Sequence, residues 1–155
     1  MTEKYFEKLN SAFLGHFARR MADLIIEQGS EILLDLDLTT PATSISTMLY
    51  LEKNHNVTVA VLADALGVSH QMATQRINFL DKLSLINRVS SPEDKRSKMI
   101  TLTQLGQSEV IKLIPFTEKI EKAFQQLEIE VDCKLTKAIH QTEKALRKKP
   151  LKERL

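Results

Sequence analysis

The sequence predicts a mainly α fold carrying one small β-hairpin, and three observations predict it. Its 155 residues hold only four Gly, four Pro and 5% aromatics, so helix breakers and sheet-favouring side chains are both scarce. Apolar residues recur at three- and four-residue spacing over most of the chain. Against that background two short β-like runs, 85–89 and 98–103, stand close together.

In order, Phe6, Leu9, Phe13, Phe17, Met21, Leu24 and Ile25 keep helical spacing from Glu3 to about Leu34, with Gly15 and Gly29 as points where the helix would bend or divide. Leu36-Asp37-Leu38-Thr39-Thr40-Pro41 reads as a break, and Pro41 as the entry to a second helix with Ile45, Met48, Leu49 and Leu51 on its apolar face. That helix ends near Asn54-His55-Asn56. Thr58 is placed to cap a short helix carrying Val61, Leu62, Ala65 and Leu66. Gly67-Val68 makes a tight turn, and Ser69 caps the next helix, 69–83, whose core face is Ala73, Ile77 and Leu80.

Helix, short Gly-containing turn and helix make a helix-turn-helix. The two β-like runs follow directly, Ile100 and Leu102 alternating with Met99, Thr101 and Thr103. They enclose Ser90-Ser91-Pro92-Glu93-Asp94-Lys95-Arg96-Ser97, a loop rich in turn formers and charge, so the hairpin is a wing over 90–98. Thr103 caps a helix from Gln104 through Leu105, Val110, Leu113 and Ile114, with Pro115 as an expected kink. A last helix is expected from about Ile129 to Lys148, with Val131, Leu135, Ile139 and Leu146 as its apolar stripe.

Net charge is only +2, but it is unevenly distributed. Residues 1–40 carry four basic and seven acidic side chains; 70–100 carry six basic and three acidic; 134–155 carry eight basic and two acidic. Collecting positive charge around the wing is how a mildly charged chain presents a surface for phosphates. The basic tail reads more simply as a soluble helix end with favourable dipole interactions.

On a helical wheel Gln71, Thr74, Gln75 and Asn78 share a face opposite Ala73, Ile77 and Leu80. Amide side chains make paired contacts with adenine, and Thr touches a thymine methyl or a phosphate; an ordinary solvated face would suit the same residues. Ser69 and His70, at the helix start, suit phosphate or base-edge contacts. In the wing, Arg96 is the candidate for the minor groove and Lys95 for phosphate, while an Asp94–Arg96 ion pair would shape the hairpin or orient the guanidinium. Arg88 and Lys98, on the wing strands, would add phosphate contacts or stand exposed without purpose.

Two motifs carry a family resemblance. Asp94-Lys95-Arg96, then a strand, then Leu102-Thr103-Gln104-Leu105-Gly106 resembles the wing of MarR-family transcriptional regulators; Leu62-Ala63-Asp64-Ala65-Leu66-Gly67-Val68-Ser69 is similar to that family's lead into its recognition helix. Two departures stand out: Ser84 occupies a turn position where the family usually has Gly, and Arg76 falls where an apolar residue is common. The resemblance implies a single MarR-type domain over 1–155, a winged helix-turn-helix lobe over 41–106 flanked by N- and C-terminal dimerisation helices over 3–35 and 107–148. It further implies a homodimer, a repressor reading a pseudo-palindromic operator in double-stranded DNA, with the recognition helix in the major groove and the wing at the minor groove. Many members respond to small aromatic or phenolic effectors. His16 and Arg20, one helical turn apart, fall where such an effector would bind, and an i, i+4 pair of this kind is equally a structural one.

Other classes find little support. No Ser-centred elbow, P-loop, dinucleotide fingerprint or zinc-hydrolase signature is present, so no catalytic residues and no cofactor are expected. His16, His55, His70 and His140 are scattered, leaving no metal site. The lone Cys133 has acidic neighbours, Glu130 and Asp132, that disfavour a reactive thiolate. With no apolar run near about 18 residues and no signal-peptide core at the N-terminus, the expectation is a cytoplasmic protein with no membrane partner. The competing reading is a winged-helix protein-interaction module that does not read DNA, for which Met72 and Phe79, flanking the polar face, would speak.

Overall fold

The computed structural model describes residues 8–90 and 98–155. Its elements run in the order α1 (Leu14–Asp35), α2 (Ile45–Lys53), α3 (Val59–Leu66), α4 (His70–Lys82), β1 (Ile86–Ser90), β2 (Lys98–Leu102), α5 (Gln104–Glu130) and α6 (Leu135–Lys148), with 3₁₀ turns at Ser11–Phe13, Ala42–Ser44 and Leu151–Glu153. The chain divides into two compact units, Met1–Leu113 and Ile114–Leu155, and α5 passes from the first into the second.

Helix α1 is unbroken through Gly15 and Gly29. It ends where Asp37, in the left-handed region at φ 54°, lets Leu38 N–H reach back to Leu33 C=O at 3.0 Å. The anticipated apolar stripe of α1 is not core within the single chain: Leu33 is the one buried residue of the helix, Phe17 is half-buried, and Met21, Leu24 and Ile25 face solvent. In α2 the buried residues are Thr47, Met48 and Leu51, not Ile45 and Leu49. The 3₁₀ turn at its entry rotates the helix so that Ser44, Thr47, Met48 and Leu51 line the inward side.

The first unit's core lies under the lobe, where α2, α3, α4 and both strands meet. Leu62, Ala73, Ile77, Leu80, Leu85 and Ile100 are all essentially solvent-free. Burying a side chain of this size stabilises by about 1.5–3 kcal/mol each. The hairpin is antiparallel, pairing Ile86 with Leu102 and Ser90 with Lys98. A contact that periodicity did not signal adds to it: Ile100 N–H donates to Val57 C=O at 2.8 Å, tying the segment before α3 to β2.

Two polar devices set the lobe's frame. Glu109, 5% exposed on α5, accepts from the backbone N–H of Thr39 and Thr40 at 3.0 and 2.9 Å and from both threonine hydroxyls. Burial alone would push its carboxyl up; the hydrogen bonds outweigh burial and hold it below its ordinary 4.5. The second is the start of α5, where Thr103 Oγ1 accepts from Gly106 N–H at 3.0 Å and donates to Ser84 C=O at 2.7 Å.

Ser84 itself sits at φ 58°, the left-handed conformation that ends α4, with Leu85 N–H returning to Leu80 C=O at 3.0 Å. The backbone turn is therefore retained without Gly. A non-Gly residue there carries strain of about 1–2 kcal/mol, so Ser84→Gly is expected to raise stability by about 1 kcal/mol, read as a higher urea midpoint with unchanged slope.

In the second unit, α5 runs on to Glu130 and α6 begins only at Leu135, so the last predicted helix is two pieces of structure. Asp132, at φ 47°, breaks the continuity and leaves Val131 in the turn. Glu128 accepts from Thr136 N–H at 3.2 Å and pairs with Lys134 at 3.4 Å, which closes the start of α6. Arg154 donates to the carbonyls of Lys149 and Ala145 at 2.9 and 2.8 Å, a C-terminal cap that supports the plain reading of the basic tail. No helix among the described residues is long and apolar enough to cross a membrane.

Candidate nucleic-acid interface

The interface is built on α3, its turn and α4. Thr58 Oγ1 accepts from Val61 N–H at 3.3 Å and starts α3, whose inward side is Leu62 and Ala63; Val61 and Ala65 are exposed, contrary to expectation. An eight-residue helix presents one narrow strip to its neighbours, and here that strip is centred between 62 and 63. Gly67, at φ 61°, closes α3 as Val68 N–H returns to Ala63 C=O at 3.0 Å. Ser69 Oγ then accepts from Met72 N–H at 3.2 Å and opens α4.

Ala73, Ile77 and Leu80 are fully buried on α4, which leaves Gln71, Gln75 and Asn78 exposed on the other side together with Ser69 and His70. Thr74 is half-buried, and its hydroxyl donates to His70 C=O at 2.8 Å, so it is engaged by its own helix. Met72 and Phe79 are indeed exposed, at 46% and 53%.

On the hairpin, Lys98 is exposed at the start of β2. Arg88 is not: it lies two residues after buried Ile86 on β1 and shares its inward face toward α4. Its Nε stands 3.0 Å from Asp81 Oδ2, an ion pair, and its Nη2 donates to Asn78 Oδ1 at 2.5 Å. Asp81 was not singled out from sequence. The alternation of Ile86 and Arg88 along β1 is the signal that would have pointed to it. Asp94, Lys95 and Arg96 lie outside the described residues.

Elsewhere, His16 and Arg20 are both exposed on α1, with the His16 ring edge-on to Phe17 at 6.0 Å. Cys133 is exposed in the turn after α5. Among the described residues no cluster of His, Cys, Asp and Glu could hold a metal ion.

A capped helix-turn-helix backed by an antiparallel hairpin defines a winged helix-turn-helix protein. Residues 36–97 match the model of the MarR family. Over 68 residues the chain is 34% identical to YdcH of Bacillus subtilis, an uncharacterised HTH-type transcriptional regulator; that stretch covers 44% of this chain and 46% of YdcH. The match thus spans about half of that relative's length. Among solved structures, the S. aureus MepR–DNA complex superposes with a TM-score of 0.70 at 20% identity, covering 90% of this chain and all of MepR. M. tuberculosis MOSR, also solved with DNA, gives 0.67 at 20% identity, covering 85% of this chain and 94% of MOSR. Residues 36–97 are thus similar to the MarR family of regulators, and the chain shares the winged-helix fold of these solved structures.

Proposed function

We propose that this chain is a homodimeric regulator that binds double-stranded DNA, a ligand-responsive repressor reading a pseudo-palindromic operator. The observation that carries the reading is the exposed face of α4. Its amide side chains, Gln71, Gln75 and Asn78, stand opposite a fully buried Ala73–Ile77–Leu80 side, behind a Ser69 cap that aims the helix start outward. Such a face fits the major groove, with Ser69, His70 and Thr74 beside it. Lys98 and the wing residues Lys95 and Arg96, the latter oriented by Asp94, serve the backbone and the minor groove. That MepR and MOSR were solved with DNA supports the same use of the shared fold.

Self-association is supported by apolar surface in each unit. In the first, Leu14, Met21, Leu24 and Ile25 are exposed along α1. In the second, a groove of about 890 Å³ between α5 and α6 is lined by Phe124, Lys137 and His140 among others, and Ile139 and Leu146 are exposed on α6. Exposed stripes of this length are usual where two copies meet. The division into a lobe over 41–106 and dimerisation helices over 3–35 and 107–148 follows from that assignment. A small aromatic or phenolic effector, with His16 and Arg20 as its contacts, would act by changing the separation of the two recognition helices; a few kcal/mol of differential affinity suffices.

Selection from a pool of random duplexes tests the proposal. The expected winners are inverted repeats whose half-site centres lie about 10–10.5 base pairs apart, or a multiple of that. Single unrepeated half-sites would overturn the dimeric reading, and no enrichment would overturn operator recognition.

A further inference from the structure

We infer that Arg88 and Asp81 are positioning residues that fix how Asn78 reads a base, making it a hydrogen-bond donor that prefers guanine; this rests on the proposal that α4 enters the major groove. An asparagine amide can face a base in two ways, and the choice decides what it recognises. Facing outward with both Oδ1 and Nδ2, it pairs with adenine, accepting from N6 and donating to N7. Facing outward with Nδ2 alone, it offers only donors, which suit the two acceptors of guanine, O6 and N7.

In this chain the orientation is decided by chemistry. Arg88 Nη2 lies 2.5 Å from the Asn78 side-chain oxygen. A guanidinium has only donors, so the atom facing it must be Oδ1 and the amide nitrogen must lie on the other side. Asn78 is exposed, and Arg88 engages its Oδ1. The guanidinium is itself held: its Nε is paired with Asp81 Oδ2 at 3.0 Å, and its side chain is only 28% exposed. Asp81 stands three residues after Asn78 on the same helix, so one arginine from β1 spans both. The three residues form a fixed bracket between wing strand and recognition helix. Swinging Arg88 to a phosphate would forfeit both interactions, so it is left out of the phosphate-contacting set and assigned to orienting Asn78.

Random-duplex selection with full-length wild type, Asn78→Ala, Arg88→Met and Asp81→Asn tests this. Wild type is expected to select guanine at one position of each half-site, by about tenfold over adenine. Asn78→Ala should lose the preference at that position alone. Arg88→Met frees the amide and should move the preference toward adenine, with the salt dependence of binding unchanged; Asp81→Asn, which loosens Arg88 and removes no side chain from the bracket, should move it part of the way. The inference is overturned if Arg88→Met leaves the guanine preference intact. It is equally overturned if that variant loses affinity uniformly across sequences with a salt slope smaller by about one, the behaviour of a phosphate contact. Failure of wild type to enrich any sequence would instead strike the underlying DNA-reading proposal, and the two failures are distinguishable.

Discussion

Replacing Gly106 with Ala is expected to destabilise the chain by about 3 kcal/mol, the scale of a backbone-level overpacking in a core. A Cβ built at Gly106 would stand 2.1 Å from Leu85 C=O oxygen and 3.1 Å from its carbonyl carbon. Backbone atoms cannot rotate away as a flexible side chain would. Leu85 is itself pinned, accepting from Thr103 N–H at 3.0 Å and returning its own N–H to Leu80. Relieving the clash means separating the first turn of α5 from the junction of α4 and β1, which bears directly on the placement of α4. Urea unfolding followed by far-UV circular dichroism checks the prediction. A midpoint within error of wild type would show that the approach of α5 to Leu85 is not tight.

Glu109→Ala is expected to cost about 2–3 kcal/mol at neutral pH, because the two donors of buried Thr40 lose their acceptor while those of exposed Thr39 are left to water. The link joins residues about seventy apart in sequence, so its loss should loosen the segment between α1 and α2 from the start of α5. It also has a pH signature. The carboxyl is held below its ordinary value in the folded chain, against burial, by those hydrogen bonds. Its contribution is therefore fully present above the unfolded pKa of about 4.3–4.5 and is lost as pH falls through the lower folded value. Wild type should lose stability over that acidic window, and Glu109→Gln, which has no charge to lose, should show a shallower decline. Parallel pH profiles for the two proteins would contradict the assignment.

Much of the lobe was legible because its signals are local. Thr58, Ser69 and Thr103 each cap the helix expected of them, and Ala73, Ile77 and Leu80 are the buried side of α4. Caps and a 3.6-residue period act within one or two turns, so a single sequence displays them. What periodicity could not show was the partner of an apolar stripe. Leu24 and Ile25 repeat as core residues do, yet they are exposed here, since helical spacing marks a face as apolar without saying what covers it. The apolar period also ran across Ile129, Val131 and Leu135, concealing the left-handed Asp132 that divides α5 from α6. Polar links over long separations left no pattern at all. Glu109 with Thr39 and Thr40, and Arg88 with Asp81 and Asn78, depend on how the elements meet in space. Ser84 shows a third case, a family Gly position where the backbone conformation is retained despite the substitution.

The most direct test of the chain as a duplex-DNA binder is its affinity for random double-stranded DNA across a salt series. Neutralising six or more phosphates predicts a loss of about a thousandfold between 50 and 200 mM salt, linear in log affinity against log salt. Absence of binding at the lowest salt, or an affinity that does not respond to salt, would contradict it.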